Sequence, residues 1–441
     1  MKGGLLAGAA AVEISPAKGI GLAGYPHHPR PNRGVHDPLY ASCLVLQDGE
    51  TRLAIVALDL LLYSKSYAGK ARREIEARTG IPGRNVMICC SHTHSGPWTS
   101  DSRELAAMIG GLRPDRAYVE SLQSRIVELV VEADRGTFPA AVGIEKGYCG
   151  REQGVGGNRR DPRGLADPEV WTVGVKDRCG NWRAVLVKYC LHPTFLHSDN
   201  LLVSADYPGY IRGRLQSSKP GVIFLFAQGT SGNQSPRYFR SGKTFAEAER
   251  VGTEIAKEAD RVLDGMTLYR DAALTVQSTD VDLELRELPP RGEAEASLAK
   301  ARREWEGIKA SGAPEPEVWN AELRFLGAED TLAFVVQRDQ GAGSGSRFSE
   351  LPAEVQVIGI GDTRIVGLPG EIFVEFGLTV QYRSPFVKTF VVELANAGLP
   401  GYAATTRAYA EGGYESGASL LTGRSGEQLV DAAVDLLQQT I

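Results

Sequence analysis

Two of the seven histidines in this 441-residue chain lie two residues apart, in Cys90-Ser91-His92-Thr93-His94-Ser95-Gly96-Pro97. Imidazole is the commonest metal ligand in proteins and the usual acid–base group near neutral pH. Alternate residues of an extended chain share a side, so an extended His92–His94 segment would turn both rings into one space. Two hydrogen-bonded surface histidines would produce the same motif. A further histidine, His192, closes Val187-Lys188-Tyr189-Cys190-Leu191-His192-Pro193, where Pro193 cannot continue a strand. The stretch Gln228-Gly229-Thr230-Ser231-Gly232-Asn233-Gln234-Ser235-Pro236 is small and polar, so backbone amides and a hydroxyl could approach a substrate closely. An ordinary Gly/Ser turn has that composition too. Gly370-Glu371 follows an apolar run and is expected to open a helix, where an acid also serves as a dipole partner. Asn396 and Gly401-Tyr402 follow a last apolar run. Two histidines and one carboxylate make a catalytic zinc set that leaves positions for water and substrate.

The elements that must hold these residues are apolar, β-branched runs alternating with helical patterns, which predicts an α/β fold: a mixed β-sheet core flanked by helices. Strands are expected over Arg52–Leu58, Asn85–Ser91, Trp182–Cys190, Gly221–Ala227, Glu354–Ile360, Thr363–Leu368 and Thr389–Leu394, with a first strand near the N-terminus. Helices are expected over Ala68–Thr79, Ala117–Ala133, Phe245–Leu263 and Glu427–Gln439. His92, His192, Ser235, Glu371 and Tyr402 then fall just past strand C-termini, where α/β sheets commonly build their sites. Downstream of His192, Asp206 is expected to cap a helix. Arg291–Phe325 is rich in Glu, Ala, Lys and Arg and breaks at Ser311-Gly312-Ala313-Pro314. It reads as a helical hairpin inserted in a single domain, 1–441, the insertion running over 288–348 with the flexible stretch Gly341–Ser346. Its Trp305 and Trp319 would either cap a pocket or pack the hairpin against its body.

Composition is that of a soluble globular protein, 42% hydrophobic and 23% charged, with net charge -5 and acids and bases well mixed. No basic block marks a nucleic-acid or anionic-membrane partner. The apolar N-terminal run passes straight into Glu13-Ile14-Ser15-Pro16 and reads as a strand rather than a leader, and no segment approaches the length of a membrane span. Six cysteines without CxxC spacing sit mostly among Val, Ile and Leu, which fits a reduced, cytoplasmic protein. A homo-oligomer is left open.

The ordered motifs together resemble the N-terminal catalytic domain of the neutral/alkaline (non-lysosomal) ceramidases. The resemblance runs from Ala7–Pro16 to about Thr422, with the hairpin matching poorly. It rests on that first segment and on Gly34-Val35-His36-Asp37-Pro38-Leu39-Tyr40-Ala41, Ser91–Pro97, Ser204-Ala205-Asp206-Tyr207-Pro208-Gly209 and Pro369-Gly370-Glu371. It implies one Zn²⁺ per chain held by His92, His192, Glu371 and Tyr402, with His94 beside the metal. It further implies Tyr414, Arg159 and Ser235 as site residues. Asn233 stands where the family usually has Asp. The extra C-terminal immunoglobulin-like domain of the ceramidases is not matched.

The expected activity is hydrolysis of an amide (N-acyl) bond by a zinc-activated water, with His94 relaying protons and Tyr414, Arg159 and Ser235 donating to the carbonyl oxygen. The expected substrate is a small-molecule amide rather than ceramide in a bilayer, with a ceramidase proper as the alternative. A serine hydrolase built on Ser235 would want a GxSxG elbow, which the chain lacks. A metal-binding protein of this fold without turnover is the remaining reading. His27, His28, His36 and His197 read as loop residues. Of these, His197 is close enough to His192 to line a pocket, and His36 with Asp37 either supports the metal site or fixes a loop.

Overall fold

The computed structural model describes residues 4–25, 27–102, 105, 113–340 and 348–440. Two β-sheets lie face to face, and helices cover the outer face of each. The larger sheet contains β1 (Leu6–Glu13), β2 (Tyr40–Gln47), β3 (Arg52–Leu58), β4 (Val86–Cys90), β5 (Phe138–Tyr148), β6 (Glu169–Asp177), β7 (Trp182–Tyr189) and β8 (Ile223–Gln228). Their order is β8-β7-β6-β5-β1-β2-β3-β4. The smaller sheet runs β9 (Leu274–Val281), β10 (Ala353–Ile360), β11 (Thr363–Gly367) and β12 (Lys388–Val392). The expectation of one mixed core is thus met by two mixed sheets.

Period-two alternation explains the layering. In β3, Leu53, Ile55 and Ala57 point between the sheets, where they meet Ile358, Ile365 and Phe390 of the smaller sheet. Ala54, Val56 and Leu58 point outward to α1 (Lys65–Thr79) and α2 (Arg116–Arg135). The outer side of β7 and β8 is covered by α3 (Tyr207–Ser218) and α4 (Phe245–Asp264). That of the smaller sheet is covered by α7 (Val374–Arg383) and α8 (Gly423–Gln438). Strands buried on both faces read as continuous apolar runs, which is why these are legible in the sequence.

Three parallel pairs matter for the site: β3 with β4, β7 with β8, and β11 with β12. A helix joins the members of each pair (α1, α3 and α7), as a parallel connection requires. Their C-terminal ends converge. Asn396 donates its backbone N–H to the Ile88 carbonyl, 2.7 Å, and the Glu393 N–H reaches the Gln228 carbonyl, 2.8 Å. Gly232 N–H reaches the Ile372 carbonyl, 2.8 Å.

The hairpin is formed by α5 (Arg291–Ala310) and α6 (Glu315–Asp339). Gly312 at φ 72° and Pro314 break the chain between them, since one leaves the helical region and the other lacks a donor. Trp305 stacks on Phe325 within the hairpin, centroids 5.1 Å apart, whereas Trp319 faces the site. Gly341–Ser346 lies outside the described residues. Among the described residues no helix is long and apolar enough to cross a membrane.

Candidate metal centre and its cavity

The ends of the parallel pairs bring His92, His192 and Glu371 to one point. The Glu371 Oε2 is 3.2 Å from His92 Nε2 and 3.1 Å from His192 Nε2. On the far side of each ring, Nδ1 lies 2.8 Å from the Leu61 carbonyl oxygen in His92 and 2.7 Å from the Ser231 carbonyl oxygen in His192. A carbonyl only accepts, so Nδ1 carries the hydrogen in both rings. That leaves both Nε2 lone pairs facing a carboxylate oxygen, three acceptors around one space. A proton or a metal cation between them would relieve the repulsion of these lone pairs. Backbone carbonyls that fix the tautomer of an imidazole in this way are the usual outer partners of metal-ligating histidines.

Tyr402 reaches the same point through tertiary pairing. Glu371–Ile372 is not the start of a helix, as the sequence suggests, but a short strand paired in parallel with Tyr402–Ala403. Helix α7 begins only at Val374. Register sets Glu371 directly against Tyr402, and both line the same cavity. A second short ladder, Gln234–Ser235 against Gly157–Asn158, delivers Ser235 and Arg159 to the cavity. Arg159 places Nη1 3.3 Å from His192 Nε2 and Nε 2.8 Å from Glu415, while its buried Nη2 has no partner. Tyr414 lies edge-on to Tyr402, centroids 5.9 Å apart.

His94 stands 5.0 Å from His92 and 5.9 Å from His192, measured between ring centroids. Both its ring nitrogens are buried without a hydrogen-bond partner. Nitrogens of His92, His94 and His192 can all lie within 4.8 Å of one another, so the geometry also permits three imidazoles on one ion. The two rings of the HxH motif meet for a reason other than the expected one. The chain is not extended there: His92 sits at φ 67°, a left-handed conformation that costs a non-glycine residue about 1–3 kcal/mol and clusters at functional sites. Gly24, at φ 92°, leaves the space that the His94 ring occupies; a Cβ there would be 2.4 Å from the imidazole.

The electrostatics reflect this crowding. Burial opposes the charged form of Glu371, but the two facing imidazoles outweigh it and hold the carboxyl well below its usual range. Burial also works against a charged His92, and Glu371 overrides it, raising that imidazole. His192 falls to about 4, by burial and then by Arg159. His94 is driven well below the ordinary value by burial and its neighbouring imidazoles. Burial, then Glu371, pushes the Tyr402 phenol up, so the hydroxyl keeps its proton unless a cation is adjacent. Glu393 is a residue that sequence reasoning missed. Fully buried and raised to about 8 by that burial, it accepts from Ser231 Oγ behind His192 and from the Ile372 N–H.

Around this point the cavity has two lobes that share Gly24, Tyr25, His94, Tyr402 and Tyr414. One has an apolar wall of Leu22, Leu61, Leu62, Trp98 and Leu105, with Arg30 and Arg113 also lining it. The other is walled by Thr194, His197, Ser235, Arg237, Arg240 and Trp319 of the hairpin. His27 and His28 line both. His36 does not join them; it bonds Asp37 and stacks on Phe245, fixing a loop. Asp206 caps α3 as expected. Asn233 turns away from this point, accepting from the Val374 N–H at 3.0 Å and donating to Glu375 at 2.8 Å.

No protein-family model matches the chain. It is 24% identical over 466 residues to a neutral ceramidase of Mycobacterium tuberculosis, covering 92% of this chain and 72% of that protein. It is 23% identical over 477 residues to a neutral ceramidase of Pseudomonas aeruginosa, covering 95% and 70%. The crystal structure of neutral ceramidase from Pseudomonas aeruginosa superposes with a TM-score of 0.74 at 20% identity, covering 100% of this chain and 75% of that one. Similarity along nearly the whole chain and a shared fold agree, and together they support a neutral ceramidase-like family for this chain.

Proposed function

We propose that this chain is a zinc-dependent hydrolase that cleaves an amide (N-acyl) bond. The observation that carries the reading is the set of acceptors meeting at one point: two imidazole Nε2 atoms and the Glu371 carboxylate, with both Nδ1–H groups committed to backbone carbonyls. His92, His192, Glu371 and Tyr402 would hold the ion, a nitrogen–oxygen donor set suited to zinc. Bound there, zinc would acidify water toward neutral pH and polarise the amide carbonyl.

The remaining steps belong to side chains. Arg159 Nη2, a buried donor without a partner, is free to hydrogen-bond the carbonyl oxygen as negative charge develops on it. Tyr414 and Ser235 flank the same space. His94, neutral and unpartnered at both nitrogens, can accept a proton from water and pass it to the leaving amine. The C–N bond breaks, a C–O bond forms from water, and the products are a carboxylate and an amine. The relatives' name makes ceramide the first amide to test. The charged and aromatic hairpin side of the cavity supports a smaller, more soluble amide. The experiment is metal analysis of the purified protein beside an N-acyl panel running from long-chain sphingoid amides to short acyl amino compounds. Activity that survives strong chelation in protein without bound metal would overturn the proposal.

A further inference from the structure

The two lobes differ in chemistry, and the difference bears on the substrate. Arg237 and Arg240 stand on the wall of the hairpin-side lobe, flanking Trp319 with guanidinium carbons 5.7 and 5.6 Å from its ring. Arg237 donates to Asn320 Oδ1, 2.7 Å, and lies 3.5 Å from the Arg159 carbonyl oxygen; Arg240 donates to the Thr194 carbonyl, 2.7 Å. These partners are neutral. The nearby carboxylates are committed elsewhere, Glu415 to Arg159 and Arg160, and Glu315 to Lys243. Glu322, the acid on the same wall, forms no ion pair with either arginine among the described residues. Burial lowers Arg237 to about 10, which still leaves it charged at neutral pH. Partly buried cations lacking a counter-ion are costly unless a ligand supplies one. The opposite lobe groups Leu22, Leu61, Leu62, Trp98 and Leu105 on its wall, with Arg30 and Arg113 also on its lining.

We infer that the substrate is an N-acyl compound whose amine part carries a carboxylate, its acyl chain lying in the apolar lobe and its carboxylate held by Arg237 and Arg240. This rests on the amide-hydrolase reading and narrows it. Arg237 touches the backbone of Arg159, itself 3.3 Å from His192, so a carboxylate close to the scissile nitrogen is within reach. Planar guanidinium forks match carboxylates well, and the hydrogen bonds are charge-assisted.

The test compares kcat/KM for N-dodecanoylglycine and N-dodecanoylethanolamine, which differ in carboxylate against hydroxyl, using the full chain supplied with zinc. The expected result is a preference of about 10- to 100-fold for the glycine conjugate, shrinking toward unity in Arg237→Gln/Arg240→Gln. Arg240→Gln alone should show an intermediate loss, which keeps the test open if the double variant does not fold. Calorimetry with a non-hydrolysable ketone isostere of N-dodecanoylglycine reads the pocket without turnover. If neither amide is cleaved but the isostere binds and the variants lose it, the hydrolase reading fails while the carboxylate site at Arg237 and Arg240 stands. If the neutral amide is cleaved as well as the acidic one, or the preference survives both substitutions, the inference is overturned while the hydrolase reading stands.

Discussion

Replacing His92 and His94 separately with alanine should give opposite patterns. The His94 ring makes no side-chain hydrogen bond, so His94→Ala removes packing alone, against Tyr25, the Gly24 backbone and the rings of His92 and His192. The stability loss should be of order 1–2 kcal/mol, within the ordinary range for a substitution that breaks no polar contact. Bound zinc should be retained, and kcat should fall roughly 10²- to 10⁴-fold, the usual contribution of a positioned proton-transfer group. His92→Ala removes a ligand and also strands the Leu61 carbonyl, a buried acceptor whose loss of a partner costs about 1–3 kcal/mol. The remaining His-Glu-Tyr set is a poor zinc site, so metal should be lost together with turnover. Elemental analysis, urea unfolding and single-turnover kinetics on the two purified variants separate these outcomes. Metal lost from His94→Ala but kept in His92→Ala would reverse the roles. Equal loss from both would favour the three-imidazole arrangement that the ring spacing permits. Full activity in His94→Ala would remove that residue from the mechanism.

Gly24→Ala should lower turnover more than metal content, because a Cβ at φ 92° would press on the His94 ring from 2.4 Å; a variant with unchanged kcat would refute that positioning role. Arg159→Ala leaves Glu415, buried, with Arg160 as its one ion-pair partner among the described residues, and should cost about 3 kcal/mol in urea unfolding. Part of that cost should return in Arg159→Ala/Glu415→Ala, and an additive double variant would contradict the pairing. Burial raises Asp206 to about 7, so between about pH 4 and 7 the folded chain holds a proton that the unfolded chain has released. This contribution to stability is present below the unfolded value and is lost as pH rises through the folded one. Asp206→Asn tolerates the φ of 59° and should flatten the pH dependence of the melting temperature across that window; a parallel profile would show that Asp206 does not titrate there.

How far the site is legible depends on how local its cause is. The strands ending before His92, His192 and Glu371 are buried on both faces, so each is a short apolar run bounded by Gly, Pro or polar residues, and such runs are visible along the chain. The hairpin is visible because Gly312 and Pro314 break helical periodicity locally. The segments just past the strand ends carry no such local sign. Glu371 reads as a helix start, since nothing near it reveals that its backbone pairs with Tyr402. Glu393 and the Gln234–Ser235 ladder that carries Arg159 into the cavity are equally hidden, because their partners lie on other units of the fold. The amino-acid sequence by itself determined which residues end the strands and which of them can bind a metal. Only the tertiary structure decided which atoms face one another. That depends on the packing of two sheets and on backbone pairings between distant segments, and neither leaves a periodic signal in the chain.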